Sequence, residues 1–132
     1  MNIENIFPPN WQETRGTYSS AKKIDFGDYY LIFVSGQQAR KDETNEVTTD
    51  IEKQTTEVFE SIEDILHSAG ASIDNIVKAV IYLTDMEDFS KFSPIRDKWF
   101  ENCKPVSTLV EVNGMTRKGA KIEVEVTALV RK

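Results

Sequence analysis

Among 132 residues the sequence holds one cysteine, Cys103, and one histidine, His67. A lone cysteine closes no disulfide within the chain, which fits a reducing compartment, and a cytoplasmic location is expected. With one histidine there is no pattern for a Ser-His-Asp triad, and no Cys/His cluster has transition-metal spacing. Neither a Walker loop nor a G-x-G-x-x-G segment occurs. No metal and no organic cofactor is therefore expected. Long apolar runs are also missing. None approaches the roughly 20 residues of a membrane helix, and no N-terminal run resembles a signal peptide. Positive charge is scarce: 16 Lys and Arg stand against 22 Asp and Glu, a net charge of −6. An acidic chain repels phosphate backbones, which weighs against nucleic-acid binding. No repeat, linker or low-complexity segment divides the chain, so a single domain over residues 1–132 is expected.

What is present is a clear alternation of strands and helices. The first dozen residues hold Pro8-Pro9 and read as an irregular arm. A strand is predicted over about residues 17–26, then a tight turn at Gly27-Asp28, then a second strand, YLIFVSGQQ, that stops on Ser35-Gly36-Gln37-Gln38. The clearest helix follows. Thr49 or Asp50 can cap it, Gly70 ends it, and Ile51, Val58, Phe59, Ile62, Ile65, Leu66 and Ala69 form one apolar stripe. His67 falls in its last turn, a solvated place near the negative end of the helix dipole. Residues 76–83 read as a β-branched strand. A second helix carries Phe89, Phe92, Ile95, Trp99 and Phe100, with a break expected at Ser93-Pro94. Strands over about residues 106–112 and 121–130 close the chain.

The predicted order β-β-α-β-α-β-β suggests an α+β fold, a mixed sheet with both helices on one face. The other face is then apolar as well, because the second strand is apolar on both sides and Leu109 and Leu129 stand opposite the main apolar rows. A bare apolar face in water is unfavourable, and another copy of the same chain is the simplest cover.

Several segments, in order and over nearly the whole chain, resemble the reactive-intermediate deaminase (Rid, YjgF-like) family, also labelled endoribonuclease L-PSP. They are Gly16-Thr17-Tyr18, Phe33-Val34-Ser35-Gly36-Gln37, Gln54-Thr55, residues 68–72 with Ile76-Val77-Lys78, Asp85-Met86-Glu87-Asp88-Phe89, Pro105 with Val110-Glu111-Val112, and Ile122-Glu123-Val124-Glu125. The resemblance implies a chorismate-mutase-like fold, a homotrimer, and small-molecule ligands in clefts between subunits. It implies cofactor-free hydrolysis of a short-lived enamine or imine to a 2-keto acid and ammonia. By motif, Glu123 would handle the water, Tyr18 would shape the pocket, Ser35 and Gly36 would form its rim, and Phe89 a wall.

This chain departs from the family pattern where a strand arginine grips the substrate carboxylate. Ser107 stands at that position, Leu109 stands where a cysteine is common, and Ser93 replaces an asparagine. A serine hydroxyl offers one neutral hydrogen bond in place of two charge-assisted ones. Weak action on 2-imino acids follows, unless another cation takes the role; Arg15, Arg40 and Lys104 are the candidates by position. Three functions stand: a deaminase with altered specificity, a non-catalytic ligand-binding or interaction trimer, and a ribonuclease, which the acidic charge disfavours.

Overall fold

Residues 2–9, 11 and 16–132 are described by a computed structural model; Arg15 lies outside them. The elements in chain order are β1 (Asn2–Ile6), β2 (Ala21–Asp25), β3 (Tyr29–Gln38), α1 (Ile51–Ser68), β4 (Ile76–Leu83), α2 (Phe89–Trp99), β5 (Val106–Glu111) and β6 (Ile122–Arg131), with 3-10 turns at Ile73–Asn75 and Met86–Asp88. The six strands lie side by side in the order β1-β2-β3-β6-β4-β5. Every neighbouring pair is antiparallel except β4–β5, which is parallel. The expected mixed sheet with two helices on one face is present, enlarged by one strand.

That added strand is β1. Its sequence lacks a clean alternation, and only Ile6 is buried. It forms because it pairs residue by residue with the edge of β2, from Asn2 opposite Asp25 to Ile6 opposite Ala21. Pairing context here outweighs intrinsic preference. The expected first strand is shorter than the pattern suggested, and begins at Ala21. Its hairpin with β3 turns where Gly27 takes a φ of 95° and Asp25 accepts a hydrogen bond from the Gly27 amide at 2.8 Å.

Helix α1 buries the predicted stripe: Val58, Phe59, Ile62, Ile65 and Leu66 are all fully buried. Asp50 caps its start by accepting from the amides of Glu52 and Lys53, and Gly70 leaves it at a φ of 80°. The stripe packs on the inward row of the sheet, Ile32, Val34, Ile81, Leu83, Ile122, Val124, Val126 and Ala128. The break expected at Ser93-Pro94 does not occur. Helix α2 runs through Pro94, preceded by the 3-10 turn. Pro94 has no amide hydrogen to donate, but Phe92 and Phe100 are buried on either side of it and anchor the helix to the core.

The opposite sheet face is open. Phe33, Leu129, Val106 and Val110 lie exposed. Leu109 does not join them. It stands beside Ile81 in the parallel register and packs, half-buried, against the core under the helices. The reason is strand parity: Val106, Thr108 and Val110 share one side of β5, Ser107 and Leu109 the other.

Between α1 and the start of β6, a buried glutamine fixes a loop. Gln54 donates to the carbonyls of Thr48 (2.7 Å) and Gly119 (2.9 Å) and accepts from the Lys121 amide at 2.8 Å. It thereby holds the β5–β6 connection, whose earlier residues line a cavity beside Glu123.

Candidate functional site

The YLIFVSGQQ stretch does not stop at Ser35. Strand β3 continues to Gln38 through a bulge: Val34 pairs with Val126, Gln37 with Val124, so one extra residue is accommodated between them. The bulge is tied down on its other side. The Ser35 hydroxyl donates to the Ser19 carbonyl at 2.7 Å, and the Ser35 amide donates to the Ser20 carbonyl at 2.9 Å. This holds the segment carrying Tyr18 within a residue of the bulge. The Tyr18 ring itself lies exposed, beside Gly16.

Glu123 sits on β6, directly across from Gln38 and Tyr82. Ile122, Val124 and Val126 point to the helices, so Glu123 points to the open face as alternation requires. Its carboxylate rests over the backbone of Gly36, where a β-carbon would lie 2.5 Å from Oε2. The Gln38 side chain reaches across and donates from Nε2 to Glu123 Oε1 at 2.6 Å and to Thr116 Oγ1 at 2.9 Å. Gln38 Oε1 accepts from the Arg117 amide at 3.0 Å. One amide therefore couples the carboxylate to the β5–β6 connection. Beside it lies a cavity of about 490 Å³ lined by Tyr82, Val112, Gly114, Met115, Thr116 and Glu123. A half-buried carboxylate with one oxygen engaged, next to room for a small molecule, is suited to holding a water or moving a proton.

The remaining predicted residues form a second group. Phe89 and Ser93 belong to α2, and Ser107 and Leu109 to the helix side of β5. Ser107 borders a groove of about 670 Å³ between these two elements, with Arg96, Phe100, Lys104 and Pro105. Within one chain the two groups are not brought together, because Glu123 points to the open face and Ser107 to the helix face.

The cations picked from sequence position fare differently. Arg40 is engaged with α1: its amide donates to Glu57 at 3.0 Å and its guanidinium pairs with Glu60 at 3.0 Å. Lys104 lines the second groove. Arg96, which no sequence motif singles out, borders the same groove. The available signal was helical spacing: Phe89, Ser93, Arg96 and Phe100 recur at four, three and four residues, one face of α2.

Three other groups have defined settings. The Tyr82 phenol donates to Glu125 at 2.8 Å, and this bond, with burial and the nearby carboxylates, raises its pKa above the ordinary tyrosine value. Burial holds the Cys103 thiol above its ordinary pKa, which makes it a poor nucleophile. His67 is exposed in the last turn of α1, as expected. Among the described residues no cluster of His, Cys, Asp or Glu has the arrangement of a metal site, and no helix is long and apolar enough to cross a membrane.

Known proteins are similar to this chain over nearly its whole length. A RutC family protein of Pyrococcus abyssi is 39% identical over 129 residues, covering 97% of this chain and 98% of its own. Among solved structures, the yeast protein YEO7 superposes with a TM-score of 0.85 at 27% identity, over 98% of this chain and 100% of its own. Escherichia coli TdcF, solved with bound serine, gives a TM-score of 0.81 at 26% identity, over 98% of this chain and 99% of its own. The family model described as endoribonuclease L-PSP matches residues 10–130. The chain belongs to the endoribonuclease L-PSP family, the YjgF-like or Rid proteins.

Proposed function

We propose that this protein hydrolyses a short-lived enamine or imine of a small molecule, acting as a homotrimer with its ligand in a cleft between subunits. The observation that carries the reading is the Glu123 carboxylate, seated over Gly36, bonded by Gln38 and facing a cavity on the open side of the sheet. In the reaction, water adds to the imine carbon while Glu123 takes its proton. The nitrogen then receives that proton and the proton of the new hydroxyl, leaves as ammonia, and a carbonyl remains. An enamine first gains a proton at carbon and loses one from nitrogen to become the imine. No electrons are gained or lost, so no redox partner is required. Tyr18, tethered next to the bulge, closes one side of the cleft in this reading, and Ser35 and Gly36 form its rim.

Two features support assembly. The open sheet face exposes Phe33, Leu129, Val106 and Val110, apolar area that a second copy would cover. The predicted site residues are also split between opposite faces, so a complete cleft needs the Ser107 edge of one copy against the Glu123 face of another. A stable monomer at micromolar concentration in analytical ultracentrifugation would contradict this part. The single cysteine fits the reducing cytoplasm, which cell fractionation can test.

The direct test supplies the purified protein with enzymatically generated imines, 2-aminoacrylate among them, and follows ammonia release. Acceleration above buffer that is lost in an intact Glu123→Gln assembly is the expected result. Ligand binding with no acceleration for any imine would instead favour a non-catalytic binding trimer, a reading to which Ser107 lends weight. RNA cleavage that survives a chelator control would favour the ribonuclease reading, against the net charge of −6.

A further inference from the structure

We propose that a second ligand site, separate from the Glu123 cleft, lies where Trp11 meets the loop after β3, and that it takes a small phosphate monoester carrying a planar ring. A cavity of about 540 Å³ is lined there by Trp11, Gln37, Lys41, Asn45, Ser61 and Arg117, among others. It lies toward the helix side of the sheet. Ser61 of α1 is buried at its base, and Gln37 stands across from Val124, whose side chain is buried under the helices. Glu123 points to the opposite face. The site therefore depends neither on the imine chemistry nor on the cleft between subunits.

The chain carries a net charge of −6, yet three of its 16 cations, Arg40, Lys41 and Arg117, border this one cavity against a single acid, Asp42. Arg40 is paired with Glu60 at 3.0 Å. Lys41 and Arg117 have no carboxylate partner among the described residues, so the cavity keeps a positive balance. Arg117 is held in advance: its Nη1 donates to the Ala39 carbonyl at 2.6 Å and its amide to Gln38 Oε1 at 3.0 Å, bonds to neutral groups that leave its charge uncompensated. Asp42 uses Oδ1 within its own loop, accepting from the amides of Thr44 and Glu46 at 2.8 and 3.1 Å, and so fixes the turn beside Lys41 and Asn45. Cations from two separate loops reach a ligand from two directions. That suits the several oxygens of a phosphate better than the flat pair of a carboxylate. The cavity is larger than a phosphate alone requires, and Trp11, packed half-buried against the core, offers an indole on which a ring can stack. The side-chain amides of Gln37 and Asn45 can pair with the polar edge of such a ring. The overall negative charge opposes a polymer of many phosphates far more than one phosphate in a local basic cluster.

Calorimetry on the full-length protein compares adenosine monophosphate, adenosine and inorganic phosphate. The nucleotide is expected to bind at least about tenfold more tightly than either of its parts. The double variant Lys41→Gln/Arg117→Gln should bring the nucleotide down to the level of adenosine, and Trp11→Ala should bring it down to that of inorganic phosphate. Lys98→Gln, which removes one cation from α2, should leave all three affinities unchanged. Melting temperatures separate lost binding from lost folding. Lys41→Gln alone alters an exposed side chain, so it should fold as the parent does and still weaken the nucleotide at least about threefold. Nucleotide and adenosine bound equally, inorganic phosphate bound as tightly as the nucleotide, or no nucleotide binding at about 1 mM would each overturn the proposal. Unchanged nucleotide affinity in the folded Lys41→Gln or double variant would overturn it too.

Discussion

A β-carbon on residue 36 would lie 2.5 Å from Oε2 of Glu123 and 2.8 Å from its carboxyl carbon. Gly36 has an ordinary backbone conformation; the positive-φ glycines are Gly27, Gly70 and Gly119. The residue is glycine because the Glu123 side chain occupies the space a methyl group would need. Gly36→Ala would therefore push aside the far end of a flexible side chain, a rearrangement costing about 1 kcal/mol or less of stability. It would also displace the carboxylate from Gln38. We expect a folded assembly with at least about tenfold lower turnover, since one misplaced proton-handling group commonly costs that much. Turnover equal to the parent would remove Glu123 from the reaction.

Gln54 is fully buried and uses both ends of its amide, bonding Thr48, Gly119 and Lys121. Gln54→Ala would leave two carbonyls and one amide without partners, at about 1–3 kcal/mol for a buried group left unpaired. We expect a loss of about 3 kcal/mol in denaturant unfolding, together with weaker ligand binding as the β5–β6 connection loosens. A change below about 0.5 kcal/mol would mean that water enters and replaces the bonds.

Burial, chiefly, and then the nearby Asp74 raise the pKa of Cys103 in the folded protein. The fold thus favours the neutral thiol. This contribution is intact below the unfolded thiol pKa and is lost as pH rises through the higher folded value. At neutral pH, iodoacetamide should modify native Cys103 more slowly than the urea-unfolded chain, and the native rate should climb only at more alkaline pH. Equal native and unfolded rates would show an accessible, unperturbed thiol.

Most of the fold was legible because its signals are local. The stripe from Ile51 to Leu66 and the alternation of Ile122, Val124 and Val126 each state their own period. What stayed hidden depends on neighbours. Asn2–Ile6 has no strand pattern of its own and acquires one from the edge of β2. Pro94 signals a helix start, but buried Phe92 and Phe100 carry the helix through it. Leu109 was assigned to the wrong side because sequence does not fix how β5 is set against β4, and parity follows from that register. Within the site, Gly36 and Glu123 were found through motif order. Their direct contact spans 87 positions and the Gln38 bond to Thr116 spans 78, so neither carries a local signal.

The proposed cleft takes Glu123 from one copy of the chain and the Ser107 edge from another. Subunit mixing tests it most directly. Glu123→Gln and Ser107→Trp proteins are each prepared, shown to be inactive, then unfolded together in equal amounts and refolded. If each site takes Glu123 from one subunit and Ser107 from its neighbour, about one quarter of the sites in the mixture regain both residues, and imine hydrolysis should return to about that fraction of the parent rate. If both residues act within one chain, every chain carries a defect. Mixed assemblies confirmed by native mass spectrometry would then stay inactive, and that result would contradict the account.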